Sequence, residues 1–120
     1  MARLTDRYGN PITDNQQATL WEGSFNNYGG TLTLNDNIYN YSLLIFAYED
    51  SGSPFSAYVQ VLEGESTLCG CGVMDYRVEN IRLSQLSKSS NSIRIDGAVW
   101  VNQSNNGGAR FTKVIGIKKL

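Results

Sequence analysis

Histidine is absent from this chain. That removes the side chain that most often serves as a general base near neutral pH and most often ligates zinc. Nucleophilic devices of the Ser-His or Cys-His type are excluded with it. Charge of either sign is sparse: 10 Lys and Arg against 11 Asp and Glu leave a net charge of -1. Such a balance offers no electrostatic footprint for nucleic acid or for an anionic membrane, and neither is expected as a partner. No apolar run approaches the roughly 20 residues that cross a bilayer, so no membrane insertion is expected. The opening residues, Met1-Ala2-Arg3-Leu4-Thr5-Asp6-Arg7, lack an apolar central region, and no secretion signal is read there.

Proline is scarce, at 2 residues, while glycine reaches 12 and asparagine crowds the joints between apolar pieces. Glycine and asparagine tolerate positive φ, which tight turns between strands require. A hydrophobic fraction of 41% in 120 residues describes one globular domain with a modest core. Nothing from Leu20 to Tyr48 repeats with helical period. Residues 1–17 are polar and aperiodic, and read as an N-terminal arm or a connector; 18–120 read as the folded domain.

Strand-like pieces follow one another closely: Thr19–Ser24, Gly30–Asn35, Ser42–Glu49, Ser56–Leu62, Ser92–Gln103 and Arg110–Lys118. The first three suggest that the chain opens as a meander. Ser42–Glu49 is almost continuously apolar, as for a strand covered on both faces. In Ser56–Leu62, Ala57, Val59 and Val61 alternate with Tyr58 and Gln60. Ile93, Ile95, Val99 and Val101 are expected inward, and Arg94, Asp96 and Trp100 outward, with a bulge or close crossing at Gly97. Asn105-Asn106-Gly107-Gly108 reads as a hairpin turn into Arg110–Lys118, with Phe111, Ile115 and Ile117 near one face. Thr67–Leu86 is less regular; its two phases are reconciled by a bulge or short loop at Glu79-Asn80, with a short helix over Asn80–Leu86 as the lesser reading. The expected fold is all-β: an antiparallel β-sandwich of seven to eight strands, jelly-roll or immunoglobulin-like.

Leu20-Trp21-Glu22-Gly23-Ser24, the Gly30–Leu34 strand, the Tyr41–Phe46 strand and the closing Lys113–Lys118 resemble the C-terminal, tip domains of tail-fibre and baseplate receptor-binding proteins from bacteriophages and prophages of Gram-positive hosts. The resemblance covers about Thr19 to Leu120. It implies a virion tail protein assembled in the host cytoplasm, a homotrimer with other phage tail proteins as partners, and contact with a host-surface glycan such as a saccharide or teichoic acid. Catalysis and cofactors are not expected. Two alternatives stand beside it: a structural adaptor, collar or decoration protein that binds only other virion proteins, and, weakest, a hydrolase of cell-wall polymer.

Tyrosine is the commonest aromatic, with 7 against 4 Phe and 2 Trp. An exposed ring offers an apolar face to the C–H side of a sugar, while Asn or Arg bonds its hydroxyls. Tyr58 and Trp100 fall opposite their strands' aliphatic residues, so they face either a ligand or a neighbouring subunit; Trp21 and Phe46 are assigned to the core. Tyr58, Trp100, Asn102, Asn105 and Arg110 are the candidate ligand contacts, on the loops 50–58 and 102–110. Cys69-Gly70-Cys71-Gly72 reads as free thiols, with a disulfide or a metal site as lesser readings: a closed tetrahedral site needs four ligands, and near neighbours make a strained disulfide. No metal site is expected. Glu49-Asp50 and Glu63 with Glu65 sit beside turn residues and read as solvated charges, with calcium binding, helped by Asp75 or Asn35-Asp36-Asn37, as the alternative.

Overall fold

The computed structural model describes residues 16–50, 53–74, 77–100 and 110–119, a few strand-end residues among them by backbone alone. The described residues form eight strands: β1 (Gln17–Phe25), β2 (Gly30–Thr33), β3 (Tyr41–Asp50), β4 (Ser53–Gln60), β5 (Leu68–Met74), β6 (Arg77–Ser84), β7 (Ser92–Trp100) and β8 (Arg110–Lys118). One 3-10 turn, Ile38–Asn40, leads into β3. All pairings are antiparallel, in the order β1-β8-β3-β4-β5-β6-β7-β2. The expected all-β, sandwich-like fold is what forms, as one continuous sheet nearly closed on itself. Its ends approach where the backbone amide of Asn35, just past β2, donates to the Leu20 carbonyl of β1 at 2.7 Å.

The core explains the curl. Alternate residues of every strand enter a single apolar cluster, among them Leu20, Leu32, Leu44, Phe46, Val59, Leu83, Ile95 and Phe111. A flat sheet would leave that face wet; rolling the sheet buries it against itself. Phe111 sits among Tyr28, Phe46 and Tyr48 at centroid distances of 6.3, 5.6 and 5.5 Å, and Tyr48 stacks on Phe55 at 5.1 Å.

Several local expectations change. The meander is β3 to β7 rather than the opening strands: β1 pairs with β8 and β2 with β7. β7 and β8 are not neighbours, so β8 is not the hairpin partner of β7; Asn105–Gly108 lie outside the described residues. Turn chemistry at that joint yields to burial, because β8 sets Phe111 and Val114 against Phe46 between β1 and β3. A register shift at Ala47/Tyr48 puts Phe111 and Val114 inward, whereas Ile115 and Ile117 stay half-buried on the outer face. β3 buries Leu44, Phe46 and Tyr48, while Leu43, Ile45 and Ala47 are only half-covered. Phe46 is core as expected, and Trp21 is half-buried against it. Glu79 and Asn80 lie inside continuous β6 rather than in a bulge: Met74 pairs with Arg77, and the ladder runs unbroken to Leu68↔Leu83. The irregularity near Gly97 is present, with Arg82 opposite Gly97 and Leu83 opposite Ile95. The expected N-terminal arm falls largely on residues outside the description.

The segment between β2 and β3 is fastened by polar groups. Asp36 accepts from the Asn37 amide at 2.7 Å, the Asn40 side chain at 2.9 Å and the Tyr41 hydroxyl at 2.8 Å. Asn37 donates to the carbonyls of Ser87, Lys88 and Ser90 at 3.0, 2.9 and 2.9 Å. Burial first, then the bond to Asp36, pushes the Tyr41 phenol up to about 12. The same bond, with the Asn37 amide, holds the Asp36 carboxyl below its ordinary value. A phenol that ionises near 10 unfolded and about 12 folded holds its proton more tightly in the native state. Its stabilisation is complete below pH 10 and is lost as pH rises to about 12, amounting to ~3 kcal/mol. Asp36 contributes in the opposite sense, above its unfolded value, and that part is lost as pH falls through the depressed folded value. Wild-type urea midpoints should drop more steeply between pH 10 and 12 than those of Tyr41→Phe. Parallel profiles would show that this phenol is not differentially protonated.

Candidate functional site

The outer face of the sheet's centre carries the feature most suited to a ligand. β4 alternates, with Phe55, Ala57 and Val59 buried and Pro54, Ser56, Tyr58 and Gln60 exposed. Tyr58 is 54% exposed. Its cross-strand partners are Ile45 on β3 and Cys71 on β5. On β5 the outward residues are Cys69, Cys71 and Val73, and Val73 is 63% exposed. Pro54, Phe55, Ser56, Tyr58, Cys71 and Val73 line an open groove of about 510 Å³ across the β4–β5 seam. The groove presents one aromatic face, one aliphatic wall, two hydroxyls and a thiol.

Arg110 begins β8 on the same face. Register places Glu49 between Arg110 and Pro54, one strand from each. By strand spacing and rise, Arg110 stands about 16 Å from Tyr58, the span of a short oligosaccharide. Its guanidinium donates to Glu49 Oε2 at 2.6 Å and to Ser24 Oγ at 3.1 Å. This pair is well exposed, so it fixes the position of Arg110 more than it stabilises the fold.

Tyr58 and Arg110 are thus brought to one face, at opposite ends of a shallow surface. Trp100 ends β7, its backbone opposite Glu79. Its side chain lies outside the described residues, as do Asn102 and Asn105. The carboxylate pairs do not converge. Glu49 is taken by Arg110, Glu63 meets Lys88 Nζ at 2.7 Å, and Asp75 lies outside the described residues. The Asp36 and Asn37 side chains are spent on turn bonds rather than left for a cation. Among the described residues no group of three or more Cys, Asp or Glu is placed to hold a metal ion. Both cysteines are free and exposed.

Ser56 and Val73 were missed by sequence reasoning. Ser56 could have been found, since it shares the outward phase of Tyr58. Val73 could not, because its strand was read as irregular.

The chain matches no protein-family model, no curated protein and no solved structure.

Proposed function

We propose that this chain is a non-catalytic bacteriophage tail domain that binds a saccharide of the host surface through the β4–β5 groove, working in the virion as a homotrimer beside other tail proteins. The observation that carries the saccharide reading is Tyr58, 54% exposed on a rigid strand and lining a groove with Ser56. A ring so placed covers the apolar face of a sugar, and neighbouring hydroxyls answer its polar edge. Arg110, held by Glu49 and Ser24, supplies a fixed donor at the far end. The tail assignment is supported by the strand motifs from Thr19 to Leu120.

Binding to isolated host-wall polysaccharide, followed by calorimetry or on a glycan array, tests this. Tyr58→Ala should weaken binding roughly tenfold, the loss of a central aromatic contact. Undiminished binding with the sheet intact would remove Tyr58 from the site. Release of reducing ends from the wall by purified protein would overturn the non-catalytic assignment.

The adaptor reading is favoured by a different observation: Val73, Tyr58 and half-covered Leu43, Ile45, Ile115 and Ile117 share one outer face. Contiguous exposed apolar surface marks contact with other proteins. On that reading Val73→Asp abolishes co-assembly with other virion proteins, and no glycan binds wild type.

A further inference from the structure

We propose that Cys69 and Cys71 form a two-coordinate site for a soft monovalent d10 cation, of which copper(I) is the type. The two residues stand two apart on β5, both outward, free and exposed. Same-face neighbours in a strand are separated by about 6.7 Å, and their Cβ atoms by a similar distance. A disulfide needs Cβ atoms roughly 3.5–4.5 Å apart, so the extended strand forbids one without backbone movement. A linear S–metal–S unit with bonds of about 2.3 Å needs sulfurs some 4.6 Å apart, which two thiols leaning toward each other from that spacing supply. Zinc asks for four ligands, and among the described residues no Asp, Glu or further Cys joins the pair.

The strand beneath the thiols is built to stay extended. Gly70 fills the alternate, inward position between them, and Gly72 the next one along. A Cβ on Gly70 would stand 2.3 Å from the Tyr58 carbonyl oxygen, and one on Gly72 2.5 Å from the Tyr48 hydroxyl. β5 is thus pressed backbone-first against β4 and the core at Gly70 and Gly72, and both thiols face outward. β6 flanks them with Asn80 beside Cys71 and Arg82 beside Cys69. Arg82, whose Nε also lies 3.9 Å from Asp96 Oδ2, offsets part of the net negative charge of a bis-thiolate complex. Among the described residues no Asp or Glu joins the two thiols in a ligand group, and soft thiolates alone select a soft ion over a hard one. Binding takes one cation and releases two protons, one from each thiol; no electron is transferred.

The test uses the full chain, reduced and oxygen-free, titrated with copper(I) from its acetonitrile complex against a chromophoric copper(I) chelator. One copper per chain is expected, with X-ray absorption showing two sulfur neighbours and no third. Cys69→Ser and Cys71→Ser should each lose affinity by more than the roughly 100-fold that outer-shell losses reach. Circular dichroism checks that the sheet persists in both variants, whose changes lie on the exposed face. Zinc(II), offered in the same way, should not be retained. Half an equivalent of copper with dimeric mass in light scattering would overturn the intrachain site, as would wild-type affinity in either serine variant or retention of zinc. Because the readout is metal uptake, failure here leaves the saccharide reading untouched.

Discussion

Phe111→Ala is expected to remove roughly 4 kcal/mol of folding stability, the middle of the range for truncating a buried aromatic. Phe111 is fully buried on β8, the strand that holds β1 to β3. Its ring packs edge-on against Phe46 at 5.6 Å and Tyr28 at 6.3 Å, and tilts against Tyr48 at 5.5 Å. Aromatic pairs in these orientations add to the transfer free energy of the ring itself. The neighbours are large and anchored in β3 and in the turn before β2, so collapse into the space left is limited. A domain of this size is stable by only about 5–15 kcal/mol, so the variant should populate unfolded chain at moderate temperature. Urea unfolding followed by circular dichroism measures it. Phe111→Leu, which keeps most of the volume, should lose about half as much. If Phe111→Ala unfolded within ~1 kcal/mol of wild type, the aromatic cluster would not be the centre of the core.

Much of this arrangement was legible in the residues, because alternation is local. Ala57 and Val59 against Tyr58, and Ile93 and Ile95 against Arg94, follow from a period of two and need no knowledge of partners. Partner choice is not local. Asn105–Gly108 has the chemistry of a hairpin turn, yet β8 pairs with β1 and β3. Nothing in those four residues encodes that Phe111 gains more beside Phe46 than beside β7. The half-covered outer face of β3 was misread for a related reason. Leu43 and Ile45 are apolar enough for a two-sided core, but the sheet curls around one core and leaves them at the surface. The site divides the same way. Exposure of Tyr58 followed from alternation; the groove did not, since it needs β5 beside β4, and β5 lay in Cys69-Gly70-Cys71-Gly72, whose glycines interrupt the apolar pattern. Those glycines are there because β4 comes too close for any side chain.

Gly70→Ala is accordingly expected to be among the most damaging single-methyl changes in the molecule. The added carbon would lie 2.3 Å from the Tyr58 carbonyl oxygen and 2.4 Å from Val59 Cγ2. The first obstacle is backbone, which cannot rotate away, and the second is a fully buried side chain. β4 and β5 must separate by about an ångström or more to reach ordinary contact distance. Their ladder consists of Ala57↔Gly72 and Tyr58↔Cys71, which leaves little to absorb the strain. The seam is also the midpoint of the strand order, with β1-β8-β3-β4 on one side and β5-β6-β7-β2 on the other. Opening it loosens the one core that both halves share, so the loss should reach ~3 kcal/mol, the top of the usual range for overpacking. Hydrogen exchange should speed up first at the β4 and β5 amides, and thiol-reactive dye should label Cys71 faster. Gln60→Ala, on the exposed face of β4, should leave stability near wild type. Wild-type exchange at β4 and β5 in Gly70→Ala would mean that the two strands do not meet as closely as their backbones indicate. The groove and the dithiol pair both depend on that closeness. The groove takes Tyr58 and Ser56 from one strand and Cys71 and Val73 from the other, so Gly70, half-buried in the same seam, should govern saccharide binding without touching the sugar.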